Sequence, residues 1–132
     1  MPEQFAFVLR PAVPADLPYF IATFSKSARD TSLAKGCDAA ALFAFLRALL
    51  VRQMDRPDAV VTVATSPDDT DLILGWCVST DDAVTWVYVR SAFRGTGIAR
   101  ALVPATARSY TLKPNRRIPT GFAYRPDLLF QE

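Results

Sequence analysis

The sequence predicts a small α/β (α+β) domain with a mixed, mostly antiparallel sheet of about five strands flanked by helices. Three observations predict it. Residues 17–24 and 42–50 carry apolar side chains at helical spacing. Three β-branched runs follow one another between 59 and 90 with turn formers between them, as in a meander. The last run leads through two glycines into strong helix formers, joining strand, turn and helix over 86–102. At 132 residues the chain makes one domain, 1–132, with room for a core.

The elements follow in order. Residues 5–10, Phe-Ala-Phe-Val-Leu-Arg, alternate well enough for a first strand. Leu17, Phe20, Ile21 and Phe24 fall at i, i+3, i+4 and i+7, one apolar helical face. Pro14 and Pro18 stand near its start, where proline is tolerated, and the helix should end before Ser32. Asp38 is an N-cap for a second helix reaching about Met54. Its expected buried stripe is Leu42, Phe45, Leu46, Leu49 and Leu50, with Arg47 and Arg52 in water.

Residues 59–64 and 72–78 are the second and third strands, joined by the loop formers of 66–71. Ser79-Thr80-Asp81-Asp82 turns the chain into a fourth strand over 83–90. The adjacent acids Asp68/Asp69 and Asp81/Asp82 are solubilising loop tips, and no metal site is expected. The helix after the glycines contains Pro104, so it is kinked or short. Residues 118–124 are expected to form one more strand, and Leu128-Leu129-Phe130 an apolar tail.

Composition excludes several kinds of chemistry. The chain has no histidine, which removes a Ser-His-Asp triad, a Cys-His dyad and most zinc sites. Cys37 and Cys77 lack metal spacing and read as reduced thiols, with a single disulfide left open. No apolar run is long enough for a bilayer, and Met1-Pro2-Glu3-Gln4 lacks a signal-peptide pattern. A cytoplasmic protein without a membrane partner is therefore expected.

The net charge is +2, but it is lopsided: residues 1–85 balance at −4 and residues 86–132 at +6. Arg90, Arg94, Arg100, Arg108, Lys113, Arg116, Arg117 and Arg125 supply the positive end. That points to an anionic ligand, and charge alone does not choose between a phosphate-bearing small molecule, nucleic acid and a solvated basic face.

The stretch 94–100, Arg-Gly-Thr-Gly-Ile-Ala-Arg, narrows the choice. Glycines allow a tight turn and a close backbone approach to phosphate, and the first N–H groups of a helix have no intrahelical partner. A kinase-type phosphate loop would place Lys-Ser or Lys-Thr after the second glycine, where Ile98-Ala99 stands. The dinucleotide fingerprint needs a third glycine where Arg100 stands.

Arg94, Gly97 and Ala99, with Val89 on the approach, instead resemble the acyl-CoA loop of the GNAT N-acetyltransferases. Arg10, Ala12 and Asp16 loosely resemble the start of many GNAT chains. The resemblance covers about residues 6–110, and the family's fourth helix, with its usual catalytic tyrosine, is not recognisable after Ser109.

The resemblance implies a GNAT-like fold and acyl transfer from acetyl-CoA, as co-substrate, to a small-molecule or protein amine. It places Val87, Tyr88 and Val89 along the pantetheine arm. Gly95, Thr96, Gly97, Ile98, Ala99 and Arg100 would wrap the pyrophosphate, and Arg94 would brace the loop. Residues 25–37 would shape the acceptor pocket. Tyr124 and Tyr88 are the candidate catalytic tyrosines, to protonate the leaving thiolate, and packing is the commoner use of such residues. A homodimer is expected if an uncovered sheet edge pairs.

Two other readings remain. One is a non-catalytic CoA-binding or structural module on the same scaffold. The other is a nucleic-acid-directed protein, stacking bases on Tyr110, Phe122, Tyr124 and Phe130.

Overall fold

The computed structural model describes residues 6–28, 38–80, 83–111 and 122–125. Their sheet has six strands in chain order: β1 (Val8–Pro11), β2 (Ala59–Thr65), β3 (Ile73–Thr80), β4 (Ala83–Val89), β5 (Ser109–Tyr110) and β6 (Ala123–Tyr124). The first four are antiparallel, and β4–β5 and β5–β6 are parallel. The helices are α1 (Leu17–Ala28), α2 (Ala39–Met54) and α3 (Ile98–Leu102). The expected mixed, mostly antiparallel sheet with flanking helices is the one observed.

β1 starts at Val8, later than the alternation suggested, and Phe7 before it packs against the α3-side core. Pro11 ends it without loss, since β1 is an edge strand and needs no N–H there. A 3₁₀ turn over Pro14–Asp16 then leads into α1. Asp16 fixes this corner. Its carboxylate accepts the Val13 N–H at 2.8 Å and two guanidinium bonds from Arg10 at 2.8 and 2.9 Å. Arg10 Nε also donates to the Thr70 carbonyl at 3.1 Å, tying in the β2–β3 turn.

α2 begins as its cap predicts: the Asp38 side chain accepts the Ala41 N–H at 2.9 Å. Its buried face differs from the expected stripe. Leu46, Leu49, Leu50 and Gln53 are buried, whereas Phe45 is 45% exposed. The buried row runs i, i+3, i+4, i+7 from Leu46, which turns Phe45 about 100° away from the sheet. Arg47 and Arg52 are exposed, as expected. The Leu42 side chain lies outside the described residues.

Two cores sandwich the sheet. On one face α1 and α2 bury Phe20, Phe24, Leu46 and Leu50 against Val63, Trp76, Val78 and Trp86. Trp76 stacks obliquely on Phe20 at 4.7 Å, and its Nε1 donates to Thr23 Oγ1 at 2.9 Å. On the other face α3 buries Ile98 and Leu102 against Ala64, Leu74, Cys77, Val84 and Val89. Each fully buried aliphatic or aromatic side chain contributes about 1.5–3 kcal/mol by leaving water.

β3, covered on both faces, is buried along its whole length. It runs on through Ser79 and Thr80, which were expected to turn, because both pair with neighbouring strands. Asp81 and Asp82 lie outside the described residues. α3 is the short alternative offered by Pro104: Val103 before it is extended, with φ −73° and ψ 127°. Of the strand expected at 118–124, Ala123 and Tyr124 are observed, and 118–121 lie outside the described residues.

Candidate functional site

Two irregularities in β4 shape the site. The first is a bulge: Val78 pairs with Trp86 but Ser79 pairs with Val84, so Thr85 is the extra residue. Bulges bend a strand and re-aim its groups. The second is a fork. β4 pairs with β5 only at Ala83 and Val84, and one further bond runs from the Thr111 N–H to the Val84 carbonyl at 3.1 Å. Beyond it, the stretch 85–89 has β3 on one side and no paired strand on the other among the described residues. Thr85 Oγ1 and Thr111 Oγ1, at the mouth of the fork, are both buried without a hydrogen-bond partner. A buried unpaired hydroxyl costs about 1–3 kcal/mol, so these two mark a place where a polar ligand atom or water would be held.

The glycine loop closes the C-terminal end of this open edge. A 3₁₀ turn, Ser91–Phe93, leaves β4 with Phe93 packed toward the α3-side core. Arg94 Nε then reaches back to the Val89 carbonyl at 3.0 Å. Thr96 Oγ1 donates to the Phe93 carbonyl. Gly95 and Gly97 have φ of +82° and +91°, in the left-handed region that side chains avoid. No backbone hydrogen bond outside the helices and strands uses the N–H groups of Gly95, Thr96 or Gly97. Consecutive free N–H groups in such a turn make an anion-binding concavity. α3 is only five residues long, so its dipole adds little and the loop N–H groups carry the argument.

Charge agrees with that geometry. Residues 91–111 contain Arg94, Arg100 and Arg108 and no acid. Among the described residues the ion pairs are Arg10–Asp16 and Arg56–Asp58, so none of these three has a carboxylate partner there.

The expected site residues divide as follows. Arg94, Gly95, Gly97, Ala99 and Arg100 are exposed around the loop, and Thr96 is half-buried. Ile98 is a core residue at 1% exposure, so only its backbone is available to a ligand. Val87 and Val89 face the α3-side core, and Tyr88 packs on the opposite, α1 side. Tyr124 pairs through its backbone with Tyr110, level with Val84 and one strand beyond β5, and its side chain lies outside the described residues. The structure therefore does not bring Tyr124 and Tyr88 to one point on the sheet. Phe122 packs against the α3-side core, and Phe130 lies outside the described residues.

Tyr19 was not singled out by its sequence. It sits on α1, edge-on to Tyr88 with ring centroids 6.4 Å apart. Arg90 Nε donates to the Tyr19 hydroxyl at 2.9 Å. The guanidinium carbon is 5.4 Å from the Tyr19 ring centroid, which that bond to the ring's hydroxyl end accounts for. Burial raises the Tyr19 phenol above its ordinary pKa, opposed by Arg90 and assisted by Tyr88. Cys77 is free, and burial pushes its thiol up to about 12, so it is no nucleophile.

No family model matches the sequence, and no curated protein matches it. Solved structures do match the fold. A possible acetyltransferase from Clostridium difficile aligns with 73% of this chain at 22% identity and TM-score 0.51. The aligned part spans 65% of that structure, under two thirds of its length. Histone acetyltransferase HPA2 and related acetyltransferase from Corynebacterium glutamicum aligns with 74% of the chain and 68% of its own, at 19% identity and TM-score 0.58. PaiA N-acetyltransferase from Thermoplasma acidophilum, in complex with coenzyme A, aligns with 74% of the chain and 67% of its own, at 14% identity and TM-score 0.51. No helix among the described residues is long and apolar enough to cross a membrane. With its order of elements and these neighbours, the chain has the GNAT fold.

Proposed function

We propose that the chain is an acyl-CoA-dependent N-acetyltransferase that moves an acetyl group from acetyl-CoA to an amine. The observation that carries this reading is the open edge of β4 over 85–89, ending in the Arg94–Arg100 glycine loop. An extended pantetheine arm would add to that edge as a strand does, beside Val87, Tyr88 and Val89. The N–H groups from Gly95 to Ala99 would receive the pyrophosphate, with Arg100 beside it and Arg94 bracing the loop through Val89. The unpaired Thr85 and Thr111 hydroxyls at the fork fit a ligand rich in amide and carbonyl groups.

The chemistry asks for positioning more than for acid–base groups. A neutral amine attacks the thioester carbonyl carbon, a C–N bond forms, the C–S bond breaks, and CoA leaves as thiolate. The amine proton passes to the thiolate or to solvent. Backbone N–H groups on the open edge of β4 would polarise the carbonyl. β4 holds no histidine, Asp or Glu to act as base.

That last observation also favours a second reading, a CoA-binding module without turnover. One experiment covers both. Thermal shift with acetyl-CoA and CoA tests the site, and CoA release across an amine panel separates enzyme from module. Absence of any shift with either nucleotide would overturn both readings.

A further inference from the structure

The α1 side of β4 has an unusual charge balance. Trp86, Tyr88 and Arg90 alternate along that face, and all three carry hydrogen-bond donors. The Trp86 indole N–H is buried, at 7% exposure for the residue, and has no partner. Arg90 is half-buried and donates one bond, to Tyr19, and among the described residues the rest of its guanidinium has no acceptor. α1, α2, β3 and β4 contain no Asp or Glu at all. Asp16, just before α1, is committed to Arg10.

A half-buried guanidinium with only a phenol for company is an expensive arrangement unless something anionic completes it. Arginine's planar fork suits a carboxylate or phosphate, bound by two parallel bonds. The same surroundings disfavour a polycationic acceptor, which would meet Arg90 with no acid on α1, α2, β3 or β4 to offset it.

We propose that the acceptor is an amine that also carries an oxyanion, and that Arg90, oriented by Tyr19, holds that group on the α1 side of β4. This rests on the acetyltransferase reading above and adds its substrate class.

The test uses stable product mimics, so it does not depend on turnover. The full-length protein is titrated, with and without CoA, with N-acetylglycine, N-acetyl-γ-aminobutyrate, their uncharged amides, and N-acetyl-phosphoethanolamine. Binding is followed by tryptophan fluorescence, since Trp86 lies on the same face. The charged mimics should bind roughly tenfold or more tightly than the amides. The comparison of carboxylate with phosphate mimics identifies which oxyanion is preferred.

Arg90→Gln should erase the preference while leaving the CoA thermal shift in place. Tyr19→Phe, which keeps the charge but removes the hydroxyl that orients it, should weaken the preference without erasing it. Should Arg90→Gln lose its fold by circular dichroism, Arg90→Lys serves instead, with a weakened preference expected. Equal binding of acids and amides by the wild-type protein, or a preference that survives Arg90→Gln, overturns the proposal. Failure of CoA to bind overturns the acetyltransferase reading instead, and the Arg90 preference is then still read on the free protein.

Discussion

Gly75 on β3 lies directly beneath Ile98 of α3. A Cβ at Gly75 would come within 3.3 Å of Ile98 Cγ2 and within 2.6 Å of the Tyr88 carbonyl oxygen. The helix that carries the end of the glycine loop therefore sits on the sheet where β3 has no side chain. Gly75→Ala should destabilise the fold by about 1–3 kcal/mol, the usual range for overpacking a filled core. Denaturant unfolding measures it, and a variant as stable as wild type would mean that α3 moves freely over β3.

Gly97 calls for a different outcome. A Cβ there meets nothing within 4 Å, but φ is +91°. Gly97→Ala should cost about 1–2 kcal/mol of backbone strain and keep some CoA affinity. Gly97→Asp adds a negative charge beside the free N–H groups, and should abolish the CoA thermal shift while circular dichroism stays native. Unchanged CoA affinity in the Asp variant would remove the loop from the binding site.

Asp16 sets part of the acid limb of stability. The Arg10 hydrogen bonds come first among the causes that hold its carboxyl below the ordinary value, with burial opposing them. A depressed folded pKa means that the unfolded chain binds the proton more readily. The stabilisation is present above the unfolded carboxyl pKa, about 4, and is lost as pH falls through the lower folded value. Asp16→Asn should thus be less stable than wild type at neutral pH, and the gap should narrow on acidification below pH ~4. A gap independent of pH would assign the effect to shape rather than charge.

Cys77 should resist thiol reagents in the native protein. Its thiol is raised to about 12 by burial, so almost no thiolate exists at neutral pH. Labelling with a disulfide reagent should show Cys77 reacting at the rate of unfolding. Rapid modification of Cys77 in native conditions, located by peptide mapping, would contradict its burial.

The acetyl-transfer rate should rise with pH and level off as free amine accumulates, without a descending limb from a side-chain acid below pH ~9. The reason is the absence of histidine from the chain and of any carboxylate on β4. Tyr88→Phe and Tyr124→Phe, measured at saturating acetyl-CoA, decide whether either phenol protonates the thiolate. A loss of about tenfold or more in kcat would assign the role, and full activity in both would leave it to solvent. An acid limb near pH ~5 would reveal a carboxylate base outside β4.

What could be read from the sequence was what neighbours in the chain decide. Asp38 caps α2 because its side chain reaches an N–H three residues on. Pro104 stops α3 because it constrains the residue before it. Gly95 and Gly97 occupy left-handed backbone that other residues avoid, so their spacing announced the loop. The three-strand meander followed from β-branched runs and the turns between them. Tertiary structure decided the rest. Phe45 looked buried by spacing, and is not, because the sheet meets α2 along the Leu46 row. The fork between β4 and β5 depends on where pairing stops, which no local pattern encodes. Tyr19 and Arg90 are 71 residues apart, so their contact exists only once α1 packs across the end of β4. Gly75 lies inside a predicted strand, and nothing beside it in the chain announces that Ile98 lies over it. Local propensity acts over a turn or so of chain, whereas these contacts are set by which surfaces the whole core brings together.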